Sequence, residues 1–276
     1  MATLPNDIAN TVTRALEEDI GSGDISAMLI PADRMAEARL ITRETAILCG
    51  LPWAREVIRQ IDPAMNVEWY FGDGDSLIAN DIVATFSGPA RSLLTAERCV
   101  LNFLQTLSGT ATFAARLRSL VAHTSVTLLD TRKTLPGLRS AQKYAVRTGG
   151  CTNHRMGLYD AFLIKENHIS ACGSIAAAVE AARDFDATKT VEVEVESLEQ
   201  LEQSIAAGAG IVMLDNFSTE QMIKAVKINA GRVKLEASGG VDESTLVQIA
   251  ETGVDFISVG ALTKNCEAID LSLRFD

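Results

Sequence analysis

The sequence predicts an α/β protein, an incomplete (β/α) barrel with a smaller N-terminal α+β open-sheet domain. Three observations carry that prediction. From about residue 125 onward, short runs rich in Val, Ile and Leu alternate with amphipathic helical patterns, as βα units on a parallel sheet do. Six such runs occur, two short of the eight in a complete barrel. Before residue 110 the pattern changes to strand-like alternation broken by tight Gly and Asp turns, which reads as an antiparallel layer. A doubly wound open sheet is the alternative for the second part, because strand counting alone does not show closure.

Taken in order, "AEARLITRETAILCG" and "EWYFGDGDSLIANDIVATFSGPA" supply the antiparallel layer. "SLLTAERCVLNFLQTLSGTATFAARLRSLVA" reads as a long helical segment, interrupted near Ser108 and Gly109, that leads into the barrel. The six strands are "SVTLLD", "AFLIK", "TVEVEVE", "AGIVMLD", "RVKLEAS" and "VDFISVG". Between them lie helical segments such as "SLEQLEQSIAAG" and "DESTLVQIAETG", several of which open on Ser or Asp and close at Gly, as capped helices do. The reading gives a domain over residues 1–110, to which 268–276 return, and a barrel domain over 111–267.

Composition narrows the function. The 276 residues are 47% hydrophobic, enough for a large core without covalent staples. Five cysteines, odd in number and without a CxxC pair, indicate neither a disulfide framework nor a zinc site, so a reducing cytoplasm is expected. The start "MATLPNDIAN" has no basic flank or apolar run of the export type, and no stretch approaches a membrane span. A formal net charge of -11 repels nucleic acid and anionic lipid at long range. Anionic ligands must therefore be held by a local basic cluster.

Such a cluster lies where a parallel barrel keeps its chemistry, at the C-terminal strand ends. Arg132, Lys133 and Arg139 follow the first strand, His154 and Arg155 stand in "GGCTNHR", and Lys165 ends the second. A lone strand-end cation is an ordinary solvated charge; six with few acids among them suit a ligand with several carboxylates or phosphates. In "TVEVEVES" alternation separates Val191, Val193 and Val195 from Glu192, Glu194 and Glu196. This is either a strand with a wet acidic face or, in a barrel, an acidic face that needs cations or metal. Glu194 with Asp215 of the next strand would make an all-oxygen site suited to Mg²⁺. "EASGG" is a tight turn or a phosphate cradle before a helix N-terminus.

Across the whole chain the sequence resembles the quinolinate phosphoribosyltransferase family. "DTRKTLPGLR" and "NHRMGLYDAFLIKENH" are its specific motifs, joined by "EEDIGSGDIS", "AERCVLNFLQTLSGTAT", "VEVEVES", "MLDNF", "EASGG" and "ISVGALTK". The resemblance implies transfer of phosphoribose from phosphoribosyl pyrophosphate to quinolinate with Mg²⁺, giving nicotinate mononucleotide, pyrophosphate and CO₂ in NAD biosynthesis. It implies a homodimer with shared active sites, from which hexamers can be built. By resemblance, Arg132, His154, Arg155 and Lys165 surround the quinolinate carboxylates, with Arg98 reaching in from the partner subunit. Lys133 lies towards phosphoribosyl pyrophosphate; Glu194 and Asp215 serve Mg²⁺ and the ribose hydroxyls; Ser238, Gly239 and Gly260 form the 5′-phosphate site. Lys133 and Lys165 are candidates to deliver the final proton. Three departures stand out: Cys151 where many members have a third glycine, Ser26 where threonine is frequent, and Cys99 beside Arg98.

Three rival readings are weighed against this one. A related phosphoribosyltransferase of molybdenum-associated loci shares the "TRKT" theme, but intact "NHR" and "KENH" favour a base with two carboxylates. A Schiff-base aldolase would use Lys165. A non-catalytic sensor on the same barrel would not require Glu194 and Asp215 together.

Overall fold

The computed structural model describes residues 3–275. The chain divides into two compact units, one made of residues up to Ala115 with Thr134–Gly150 and the segment from Asn265 on, the other of Arg116–Lys133 and Cys151–Lys264. Strands β1 (Met35–Thr42), β2 (Ala46–Ile47), β3 (Asn66–Trp69), β4 (Ser76–Leu77) and β5 (Ile82–Pro89) belong to the first unit. The second holds β6 (Thr127–Leu129), β7 (Phe162–Ile164), β8 (Val191–Val195), β9 (Ile211–Asp215), β10 (Lys234–Ser238) and β11 (Phe256–Ser258). The last strand, β12 (Leu271–Phe275), returns to the first unit.

In the first unit an antiparallel sheet runs in the order β12-β1-β5-β3, with Leu40 opposite both Leu273 and Ala84. Helices α1 (Ile8–Ile20) and α2 (Leu51–Ile61) each put apolar residues on one face, and Val12, Leu16, Trp53, Val57 and Ile58 are buried. Trp53 packs on Tyr144 with ring centroids 5.4 Å apart.

Helix α3 (Ala90–Leu120) runs without the interruption expected at Ser108 and Gly109. Both residues are there for packing. A Cβ on Gly109 would lie 1.9 Å from the Glu267 carbonyl oxygen, so glycine lets another chain segment approach the helix. The buried Ser108 hydroxyl accepts the Cys49 N–H at 2.9 Å and donates to the Cys49 carbonyl at 3.1 Å. Residues 134–150, which include α4 (Arg139–Thr148), gather with the first unit. There Gln142 accepts the Leu135 N–H at 2.8 Å, and the Tyr144 hydroxyl donates to Asp73 at 2.8 Å.

The six strands of the second unit are those read from the sequence, all parallel, in the order β6-β11-β10-β9-β8-β7. Strands β7 to β11 follow one another without reversal, and β6 lies beside the last of them. This is the order of a barrel cut between β6 and β7, and it lacks the switch point of a doubly wound sheet. The crossovers from β7 to β11 are α5 (Glu166–Cys172), α6 (Ile175–Phe185), α7 (Leu198–Ala207), α8 (Thr219–Asn229) and α9 (Glu243–Ala250); the short α10 (Ala261–Lys264) follows β11. Side chains of Ser174, Ser197, Ser218 and Asp242 accept first-turn N–H groups of four of these helices. No helix among the described residues is long and apolar enough to cross a membrane.

Candidate active site

Strand register decides which residues share the inner face. Leu163 pairs with Glu192, Glu194 with Met213, Met213 with Glu236, and Asp215 with Ser238. Because side chains alternate, Glu192, Glu194, Asp215, Glu236 and Ser238 all project to the same side, while Val191, Val193 and Val195 project to the other. Neither side of β8 is wet: the three valines are buried and Glu192 is 3% exposed. The acidic face suggested by "VEVEVE" thus points into the barrel.

Cations meet it there. A cavity of about 190 Å³ at the strand ends is lined by Arg132, Lys133, His154, Arg155 and Lys165, together with Glu194, Glu236 and Ser238. Lys165 follows β7 and pairs through Nζ with Glu194 Oε2. Burial, and next the nearby charge of Arg132, act to lower the Arg155 pKa. Since guanidinium keeps its proton, this means two cations held together against their repulsion. An anion with two charged groups would relieve it.

His154 is held on every side. Its Nε2 lies 3.0 Å from Glu192 Oε2 and 3.4 Å from Glu236 Oε2, and its Nδ1 accepts the Arg155 N–H at 2.8 Å. Its own N–H donates to Asp130 Oδ1 at 2.9 Å, while Asn153 Nδ2 donates to Asp130 Oδ2 at 2.6 Å. Burial works to lower the His154 pKa, but the hydrogen bond to Glu192 and the close carboxylate of Glu236 outweigh it and push the value up to about 10. An imidazolium would carry a proton on Nδ1, where the Arg155 N–H points. The hydrogen bond decides the tautomer, with the ring proton on Nε2. The proton behind that raised value is shared between His154 and Glu192, whose own pKa burial raises against the lowering by the His154 hydrogen bond.

A larger cavity lies elsewhere. A cavity of about 480 Å³ in the first unit is lined by residues including Arg14, Asp19, Cys99 and Asn102, without a comparable basic cluster. Burial, then Asp19, pushes the Cys99 thiol up to about 11, so it is no nucleophile.

Both halves of the chain match one family. The model described as quinolinate phosphoribosyl transferase, N-terminal domain, matches residues 14–108, and that of the C-terminal domain matches 110–274. The chain belongs to the quinolinate phosphoribosyltransferase family. A probable nicotinate-nucleotide pyrophosphorylase [carboxylating] of Synechocystis is 41% identical over 263 residues, covering 94% of this chain and 89% of the relative. One of Bacillus subtilis is 40% identical over 257 residues, covering 93% and 89%. Among solved structures, the nicotinate-nucleotide pyrophosphorylase of Francisella tularensis superposes with a TM-score of 0.97 at 53% identity, covering 100% of this chain and 98% of that one. NadC of Streptococcus pyogenes superposes at 0.95 with 40% identity, covering 100% and 99%.

Within this family member, seven residues singled out in the sequence line the one cavity: Arg132, Lys133, His154, Arg155, Lys165, Glu194 and Ser238. Asp215, Gly239 and Gly260 adjoin that group. Asp215 Oδ2 accepts from Asn216 Nδ2 at 2.8 Å. Gly239 has φ +100, and a Cβ there would lie 2.2 Å from Asn216 Oδ1, so glycine is required on both counts. A Cβ on Gly260 would lie 3.1 Å from Lys133 Cδ. Arg98 is exposed on α3 in the first unit. Arg139 opens α4, in the same unit, and its Nε donates to Thr134 Oγ1 at 3.2 Å.

Cys151 is buried, its thiol pushed up to about 12 by burial, and its φ is not positive. Glycine is therefore not needed there, and the turn that follows keeps its bridge from Thr152 to Leu129. Glu192 and Glu236 stood at strand ends in the sequence without an assigned task. The signal for Glu192 was its parity with Glu194; Glu236 offered none, since its partner His154 comes from a distant loop.

Proposed function

We propose that this chain joins quinolinate to the ribose of phosphoribosyl pyrophosphate and releases pyrophosphate and CO₂, forming nicotinate mononucleotide. The observation that carries this reading is the pair of mutually repelling guanidiniums, Arg132 and Arg155, beside Lys165 in one cavity. Quinolinate brings two adjacent carboxylates, and bidentate forks with a point charge match them. Ser238 and the backbone of Gly239 would receive the 5′-phosphate, with Lys133 beside Gly260 towards the pyrophosphate. As pyrophosphate departs, positive charge grows on the anomeric carbon, and Glu194 and Asp215 stabilise it electrostatically. Alkylation of the ring nitrogen then lets the pyridinium stabilise the carbanion left by CO₂, and Lys133 or Lys165 can supply the proton.

Glu194 and Asp215 offer hard carboxylate oxygens from adjacent strands on one face, a donor set that fits Mg²⁺ completed by water and phosphate. Among the described residues, the group of three with metal-ligand spacing is His154, Glu192 and Glu236. Its imidazole nitrogen and its burial suit Mg²⁺ poorly. Bound Mg²⁺ would neutralise charge on the leaving pyrophosphate. The reading extends to a cytoplasmic homodimer in which Arg98 of one subunit completes the base site of the other.

The test is an assay with phosphoribosyl pyrophosphate, Mg²⁺ and either quinolinate or nicotinate, following CO₂ and nucleotide. Turnover of quinolinate alone is expected; turnover of nicotinate, or of neither base by folded protein, overturns the assignment. Arg98→Ala and Arg155→Ala should each lose activity, and mixing them should restore part of it. Mixed dimers that stay inactive would remove Arg98 from the site.

A further inference from the structure

Glu192 and Glu236 are deeply buried acids bordering the active site, and the reaction as described gives neither a task. They come from β8 and β10, two strands apart in the sheet, and meet inside the barrel. Glu236 is 0% exposed, both its oxygens lack a hydrogen-bond partner, and Glu192 Oε1 lacks one too. Two carboxylates in so dry a place repel each other and gain no hydration, an arrangement that survives only with a compensating group between them. The group between them is the His154 ring.

The ring passes that constraint on. With Nε2 turned to the two acids, Nδ1 is aimed at the Arg155 N–H, and Arg155 Nη1 reaches the Ala161 carbonyl at 3.3 Å. Asp130 holds the same turn from the backbone side, through the His154 N–H and the Asn153 amide. Both ring nitrogens are thereby engaged by the protein. The ring acts by fixing the turn that carries Arg155, so the two acids set where the guanidinium stands in the cavity.

We propose that Glu192 and Glu236 are positioning residues that clamp His154 and, through its Nδ1, hold Arg155 in the orientation that receives a carboxylate of the base. The proposal rests on the reading of this cavity as the quinolinate site. It assigns the acids no contact with substrate. Their loss should therefore weaken the base half of the reaction and spare the phosphoribosyl half.

The experiment uses the full chain and steady-state kinetics for both substrates. Glu236→Leu fills the volume of the lost carboxylate and leaves Glu192 with His154 as a simple pair, so folding should be retained. It should raise the KM for quinolinate about tenfold and leave the KM for phosphoribosyl pyrophosphate unchanged. Glu236→Gln, which keeps an oxygen beside Nε2, should recover most of that loss. Unchanged kinetics in Glu236→Leu, or equal losses for both substrates, would overturn the proposal. So would a Glu236→Gln variant as impaired as Glu236→Leu.

A melting-temperature cycle reads the clamp without quinolinate, and it also decides the matter should Glu236→Leu not fold. Glu236→Gln should lower the melting temperature when His154 is present. In a His154→Ala background, where two unpaired acids remain, it should raise it. The same sign in both backgrounds would show that no clamp exists. If the cycle inverts but the protein does not use quinolinate, the clamp stands and the substrate assignment is what fails.

Discussion

Strands β1 and β8 follow the same alternation and bury different things. In β1, Ala38, Leu40 and Thr42 face a core, while Glu37 and Arg39 face water. In β8, Val191, Val193 and Val195 face one buried layer, and Glu192 and Glu194 face another that is also largely closed. One face of the antiparallel sheet stays hydrated, so water can solvate the charges there. A barrel strand has no such face, and its acids must be answered by His154 and Lys165. The same contrast holds for single carboxylates: Asp73 of the first unit accepts from Leu51 N–H and Tyr144 O–H, whereas Glu236 has no hydrogen-bond donor. Chemistry gathers where buried acids are answered by the imidazole of His154 and the ammonium of Lys165 rather than by backbone and hydroxyl donors.

The comparison can be broken in graded steps. The largest effect is expected for Glu194→Ala, which should lower kcat about 10²–10³-fold, the size seen when one electrostatic stabiliser of a transition state is removed. Glu37→Ala on β1 should leave kcat and stability unchanged in the same assays. A small loss for Glu194→Ala would mean that the inner acid is structural.

Leu40→Ala tests the other side. It removes a fully buried side chain from the first unit, and should cost about 2–5 kcal/mol in urea unfolding while the folded enzyme keeps its activity. A cost below about 1 kcal/mol would show that this core closes over the gap.

The third step is pH. The His154 cluster holds its proton more tightly when folded, with a value of about 10, than a histidine does in the unfolded chain. Its stabilisation is thus fully present below about pH 6.5 and is lost as pH rises towards 10, at no more than about 1.4 kcal/mol per pH unit. Melting temperatures measured from pH 6 to 10 should fall, and His154→Ala should flatten that slope. An unchanged slope would place the titrating group elsewhere.

The smallest effect is expected at Ser197, whose hydroxyl accepts the Gln200 N–H at 3.2 Å at the start of α7. Ser197→Ala should cost about 1 kcal/mol by thermal unfolding and leave kinetics alone, since the cap lies two residues beyond the acidic strand but serves only its helix.

Much of this architecture is legible in the chain because it is local. Val-rich runs, serine caps and the parity of Glu192 with Glu194 each depend on neighbours within a few residues, so the six strands and their crossovers could be read in order. The basic residues of "DTRK" and "NHR" were legible for the same reason, as charges at strand ends in an acidic protein. What was not legible depends on contacts between segments far apart in sequence. Gly109 looked like a helix break because glycine is a poor helix former; the Glu267 carbonyl that needs its missing side chain lies 158 positions further on. Residues 134–150 read as part of the barrel by position, and the hydrogen bond from Tyr144 to Asp73 was invisible.

The sequence by itself determined the order of the elements, the acidic and apolar faces of β8 and the set of charges available to a site. Only the tertiary structure decided that the acidic face turns inward, that His154 stands between Glu192 and Glu236, and that Arg155 is aimed through it. The reason is physical: alternation fixes which side chains share a face, but the closing of the sheet determines whether that face meets water or other charges.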